Sequence, residues 1–238
     1  MTIIEHLDEL RTRLIRMLIA YGVCLVIAWF LYNPIVSFLT LPLGHLHGVA
    51  PLIRHGRRLI VTSPVDPLFI RVKVVAFAAL ALALPVVLWQ AWRFVAPGLY
   101  AKEKRYAIPF VGAAVLLFAA GVGLALVTMP AALGLLTNFS GSKIQLLPDA
   151  NEYFSFVIVL IGAFGITFEF PLVLVSLSLV GILSSKRLRR WRRPAWVVLL
   201  VFAGFLTPSQ DPITQVLLAV PLAVLYELTI WITRLLKH

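Results

Sequence analysis

With 238 residues, 61% of them hydrophobic and 13% charged, and a mean hydropathy of +0.97, the chain is far more apolar than a soluble domain, whose apolar share sits near half. That excludes an ordinary globular protein and leaves a polytopic membrane protein. The net charge of +11 comes from short basic clusters beside apolar runs, not from one basic face or tail, so membrane topology accounts for it better than nucleic-acid binding does.

At the amino terminus, Thr2 and Glu5 have the spacing of a capping box, and Ile3, Leu7, Leu10 and Leu14 recur on one helical face. This predicts a short amphipathic helix with its leucines against the membrane and Glu5, Asp8, Glu9 and Thr12 toward cytosol or a partner. Glu9 stands four residues before Arg13, the spacing of a helical ion pair. The other reading of Glu9 is a docking point for a cation. Three acids before the first apolar run, with no small-residue cleavage site after it, do not fit a removable signal peptide.

Apolar stretches able to cross roughly 30 Å of hydrocarbon run about Leu14–Phe38, Leu68–Trp92, Tyr106–Pro130 and Tyr153–Leu183. The first holds the single cysteine, Cys24, which reads as a core thiol because it has no partner for a disulfide or a metal site. No metal or other cofactor is expected. Arg54-His55-Gly56-Arg57-Arg58, in the loop that follows, reads as a solvated tip. Lys73, just inside the second stretch, is expected to snorkel outward or pair locally. Between the second and third stretches, Glu103 is the one acid of Leu99–Arg105.

The fourth stretch carries one acid, Glu169, between Phe168 and Phe170 and before Pro171. An ionised side chain at the centre of a spanning helix costs roughly 2.5–3.5 kcal/mol on insertion scales, so such an acid faces a cavity, a partner or a pathway. The plain alternative is a structural hydrogen bond to neighbouring helices near Pro171. The basic run Lys186–Arg193 reads as a topology anchor that meets anionic lipid headgroups.

Two shorter stretches, Pro194–Leu206 and Ile213–Ile232, are separated by the turn-rich Thr207-Pro208-Ser209-Gln210-Asp211-Pro212, in which Asp211 is placed to cap the last helix. Thirteen helical residues from Pro194 rise only about 20 Å, so the fifth helix should end in a thinned bilayer or under a protein-lined hollow. Trp89, Trp92, Tyr100, Tyr153 and Trp231 fall near span ends, as interfacial belts do.

The expectation is therefore an all-α protein with one transmembrane domain over 1–238 and six spans, 14–38, 68–92, 106–130, 153–183, 194–206 and 213–232. An even count puts both termini on one side. Fifteen of the 21 Lys and Arg residues cluster on that side, which makes it cytoplasmic and the protein a multi-pass component of a plasma or inner membrane. No internal repeat points to a repeat-built transporter. The chain has no His-Glu-x-x-His, no Gly-x-Ser-x-Gly and no second intramembrane acid placed as a dyad, so no enzyme is expected. Two cytoplasmic carboxylates, Glu9 and Glu103, suit an arginine-bearing peptide, because guanidinium binds carboxylate through paired, charge-assisted hydrogen bonds.

The segments His6–Leu14, Gln90–Tyr100 with Glu103 after it, Phe164–Pro171, Arg190–Arg193 and Thr207–Gln215, with Pro221 and Tyr226-Glu227 beyond, occur in this order over nearly the whole chain. In them the chain resembles the TatC family, the signal-recognising subunit of the twin-arginine translocase; Pro64–Lys73 resembles an outer motif of that family, with Asp66 at a position where glutamate is common. The resemblance implies a non-enzymatic receptor for the twin-arginine signal peptides of folded substrates. It further implies assembly with single-span TatA and TatB subunits and with further copies of itself, and transport driven by the proton-motive force. Residue by residue, it places Glu9, Glu103, Phe94, Gln90 and Arg11 at the signal-peptide surface, and Glu169, Thr207 and Gln215 at an intramembrane or partner-helix polar site. An ion- or proton-coupled carrier using Glu169 is the alternative function, and a structural scaffold a third.

Overall fold

The computed structural model describes residues 3–45, 59–95, 107–138, 149–179, 181–206 and 212–236. Glu103, Thr207, Asp211, the basic tip Arg54–Arg58 and Tyr100 lie outside the described residues. Nine α-helices occur among those described: α1 (Ile3–Phe30), α2 (Tyr32–Thr40), α3 (Asp66–Val95), α4 (Ala107–Asn138), α5 (Ala150–Phe168), α6 (Phe170–Leu179), α7 (Ser185–Arg190), α8 (Arg192–Leu206) and α9 (Pro212–Leu236). A 3-10 turn, Leu41–His45, follows α2. The expected all-α architecture holds, with no strand longer than the single bridge between Ile60 and Asp149 among the described residues.

Five helical stretches among the described residues are long and apolar enough to cross a membrane: Glu5–Phe30, Asp66–Phe94, Ile108–Leu133, Ala150–Leu179 and Leu218–Leu235. The sixth expected span, α8, has 15 residues and falls short of a full crossing of hydrocarbon. The amphipathic amino-terminal segment is not a separate helix. Nothing between Leu10 and Leu14 breaks the helix, so it forms the first turns of α1.

Three breaks in the helical path each precede a proline. Leu31, at φ −86 and ψ 10, separates α1 from α2 ahead of Pro34; Glu169, at φ −76 and ψ −15, separates α5 from α6 ahead of Pro171; Trp191, at φ −86 and ψ 5, separates α7 from α8 ahead of Pro194. Proline cannot donate to the carbonyl four residues back and its ring crowds that carbonyl, so the preceding turn loosens. Pro85, Pro130 and Pro221 sit inside unbroken helices, a tolerance common where neighbouring helices support the backbone.

The hub is the Ala150–Leu179 span, more than half buried (56%), whereas no other span exceeds 39%. Phe164, Leu160 and Val157 of α5 form a core with Met129 of α4 and Leu218 of α9. The α4–α5 contact is close because both sides are glycine: a Cβ on Gly121 would lie 2.8 Å from the Phe164 carbonyl oxygen, and one on Gly165 would lie 2.5 Å from the Phe118 ring. A smaller cluster of Ala28, Val75 and Ala79 joins α1 to α3, and Arg71 stacks over Trp29 and Tyr32, 4.2 and 5.0 Å from their ring centres.

At the end where α3 and α5 begin, polar groups knit the helices together. The Asp149 side chain accepts from the backbone N–H groups of Asn151 (2.8 Å) and Glu152 (3.1 Å) and from the Thr62 hydroxyl (2.8 Å). Lys73 Nζ donates to Asn151 Oδ1 (2.8 Å) and Ser155 Oγ (3.0 Å), the local pairing expected of it. Buried Asp66 accepts from the Ser63 N–H at 2.9 Å.

Candidate functional site

The opposite end brings the start of α1 against the end of α3. The His6 ring stacks on Phe94 with centroids 4.4 Å apart and planes 18° from parallel. Glu9 lies one turn along α1, its Oε1 accepting from Arg13 Nε (3.1 Å) and also from Arg13 Nη2. Its other oxygen is buried without a hydrogen bond among the described residues, with His6 Nδ1 at 3.9 Å. Glutamate four residues before arginine is the favourable order for such a pair, so the local sequence alone brings the two together. Gln90, one turn before Phe94, is 8% exposed, and its side-chain carbonyl has no partner among the described residues.

This end therefore offers a half-buried carboxylate with one oxygen unfilled, an unpaired amide oxygen and an aromatic face. All three are acceptors for a cationic, planar group. Of the residues expected here, Glu9, Gln90 and Phe94 stand on the two apposed elements, and Glu103 lies outside the described residues. Arg11 is exposed and two residues from Glu9, a separation that turns it off the Glu9 face. His6 carries no motif of its own in the sequence, and its place three residues before Glu9 is the one signal there that points to it.

A second site lies within the spans. Glu169 lines a hollow of ≈ 270 Å³ between α3, α4 and α6, with Leu88, Trp92, Phe110, Leu172 and Ser176 among its walls. Both carboxyl oxygens are buried without a hydrogen-bond partner among the described residues. Pro171 positions the group, because the break it causes leaves Glu169 at the junction of two helices. The structural hydrogen bond considered as the plain alternative is therefore not made here. The Trp92 indole N–H is also buried and has no hydrogen-bond partner among the described residues. Trp92, expected in an interfacial belt, is instead 3% exposed and packed against Phe110, with centroids 4.2 Å apart. Tyr153, expected in the same belt, is likewise buried, its hydroxyl donating to the Leu39 carbonyl at 2.7 Å. In both cases packing between helices overrides a position near a span end.

The last two helices form a polar-stitched hairpin. Gln215 Nε2 donates to the Leu200 carbonyl at 2.8 Å, and Gly204 leaves the space: a Cβ there would lie 2.9 Å from that nitrogen. Arg192 Nη2 donates to Glu227, and the Tyr226 hydroxyl donates to the Leu188 carbonyl at 2.8 Å. Gln215 is thus engaged between α8 and α9, apart from the Glu169 hollow, and Thr207 lies outside the described residues.

The family model for Sec-independent protein translocase protein (TatC) matches residues 5–221. The chain belongs to the TatC family. A TatC from Xylanimonas cellulosilytica is 43% identical over 227 residues, covering 93% of this chain and 79% of the relative. One from Frankia casuarinae is 37% identical over 236 residues; the chain spans 65% of that relative's length. Two crystal structures described as the twin arginine translocase receptor TatC superpose with TM-scores of 0.77 and 0.75 at 36% and 35% identity, covering 95% and 98% of this chain. The TatC fold extends over both sites, and with its apolar helices it makes the chain a multi-pass membrane component of protein transport. The matched region ends before Tyr226 and Glu227, so the contacts those residues make belong to the part of α9 beyond it.

Proposed function

We propose that this TatC protein is the signal receptor of a twin-arginine translocase, reading paired arginines at the His6–Phe94 end of the bundle. Glu9 and Glu103 accept the guanidinium groups, Phe94 and Gln90 shape the surface, and Arg11 stands at its edge. The observation that most supports the reading is the His6–Phe94 stack, which sets Glu9, with one oxygen unfilled, at the end of α3. Both termini are cytoplasmic and α8 is a sixth, short crossing, so the whole of 1–238 acts as one transmembrane unit. No step at this site makes or breaks a covalent bond.

The Glu169 hollow receives a polar group carried by a single-span TatA- or TatB-type helix, since a hydrogen bond inside the bilayer relieves two unpaired partners at once. Thr207 and Gln215, at the α8–α9 turn and apart from the hollow, offer such a helix a separate polar contact. The complex contains further copies of the same chain, and export of folded substrates draws on the proton-motive force. A proton- or ion-coupled carrier needs several polar groups along a path, whereas Glu169 is the one acid in a largely apolar hollow.

Site-specific photocrosslinking from positions 90 and 94 to a peptide bearing paired arginines tests the receptor reading. Crosslinks should form in wild-type membranes and fall at least fivefold with Glu9→Lys at equal protein level. Crosslinks of equal yield in the variant would contradict the assignment.

A further inference from the structure

A second concavity, of ≈ 480 Å³, lies between α7, the start of α8 and the last turns of α9, and the receptor reading leaves it without a role. Lys186, Arg189, Arg192 and Arg234 line it together with Ile230 and Trp231. Arg192 is already neutralised by Glu227. The side chains of Lys186, Arg189 and Arg234 make no ion pair or hydrogen bond among the described residues, and no acid is among the described residues that line the concavity. Three uncompensated cations over an apolar wall call for an anion with an apolar body.

The surroundings say where such an anion comes from. Val224, Leu228, Trp231 and Leu235 are exposed at helical spacing along one face of α9, Trp231 at 60% and Leu235 at 73%, and in a membrane protein such a stripe faces acyl chains. The concavity thus joins a cationic pocket to a lipid-facing stripe on one helix. Basic pockets between transmembrane helices suit phospholipid headgroups. A free phosphate would use the cations and leave the stripe idle.

We propose that this concavity binds the headgroup of an anionic phospholipid whose acyl chains lie along the Val224–Leu228–Trp231–Leu235 stripe of α9. Three unpaired cations favour a headgroup with two phosphates over one with a single phosphate. The site is independent of signal recognition, and its test uses no signal peptide, so either proposal can fail alone.

The test is native mass spectrometry of the full chain released from detergent containing tetraoleoyl cardiolipin, dioleoylphosphatidylglycerol or dioleoylphosphatidylcholine, with and without inorganic phosphate. Wild type should retain one cardiolipin, less phosphatidylglycerol and little phosphatidylcholine, and millimolar phosphate should not displace the lipid. Arg189→Gln with Arg234→Gln should weaken cardiolipin retention roughly 30-fold, the weight of two cations near an anionic surface. Lys186→Gln, at an exposed position, should weaken it roughly fivefold and serves if the double variant is not monodisperse. Arg190→Gln with Arg193→Gln removes the same charge outside the concavity and should leave retention within about twofold of wild type. Equal losses in the two double variants would reduce the effect to diffuse charge and overturn the site. Retention of phosphatidylcholine equal to that of cardiolipin, or displacement by phosphate, would overturn the phospholipid assignment.

Discussion

Glu169 holds two buried oxygens without partners among the described residues, and a buried polar group left unsatisfied costs about 1–3 kcal/mol. Glu169→Met, of similar volume and apolar, should therefore raise the thermal midpoint of the purified chain while reducing crosslinks from a TatA- or TatB-type helix to the hollow. A lower midpoint would mean that the carboxyl stabilises the isolated protein. Asp149 works in the opposite sense. The Glu152 backbone N–H, followed by the Thr62 hydroxyl, holds its carboxyl below the ordinary value of 3.8. Its contribution is complete above that value and is lost as pH falls through the lower folded value. Asp149→Ala should lower the melting temperature at neutral pH, and the gap to wild type should close as the pH is taken below 3.8; a gap independent of pH would count against the cap. Some of these roles were legible in the sequence. The Glu9–Arg13 pair follows from spacing, and the need of Glu169 for a hollow follows from the cost of its charge. Trp92 was not legible, because a tryptophan near a span end looks the same whether it meets headgroups or, as here, an opposing helix.

Among the elements, glycines decide how closely α4 and α5 approach. Gly121→Ala would place its Cβ 2.8 Å from a backbone oxygen that cannot rotate away, and overpacking of this kind costs about 1–3 kcal/mol. Gly123→Ala, with nothing within 4 Å of its Cβ, should be neutral or slightly stabilising through better helix propensity. Equal melting temperatures for the two variants would show that the α4–α5 contact is looser than drawn. Helix existence and approximate limits were readable from the apolar runs, but the breaks at Leu31, Glu169 and Trp191 were not. Prolines 34, 171 and 194 cause breaks and prolines 85, 130 and 221 do not. Residue type alone therefore does not separate the two groups, since a proline inside a spanning helix is tolerated wherever its surroundings re-satisfy the freed backbone groups, and a single sequence does not encode those surroundings locally. The same limit explains why the amphipathic start of the chain was read as a helix of its own: hydrophobic pattern distinguishes faces, while continuity depends on the absence of a breaker.

For the molecule as a whole, composition led to a membrane protein and the ordered motifs led to TatC, because both are spread over the entire chain. What only the folded chain reveals is convergence: His6 meets Phe94 at a sequence separation of 88 residues (94 − 6), and the Glu169 hollow takes its walls from three helices. The sites proposed for recognition and for helix docking thus lie in different places, one at an end of the bundle and one within the spans, and on that proposal variants at one should spare the other. Glu169→Ala should leave binding of a twin-arginine peptide within about twofold of wild type, a prediction checked by the same titration that tests the receptor assignment. That titration compares peptides with paired arginines and paired lysines for binding to the full chain in nanodiscs. Paired carboxylates favour the forked guanidinium over the ammonium, so the account predicts at least about tenfold tighter binding of the arginine peptide and loss of that preference in Glu9→Gln with Glu103→Gln. Equal affinity for the two peptides in wild type, or an undiminished arginine preference in the double variant, would contradict it.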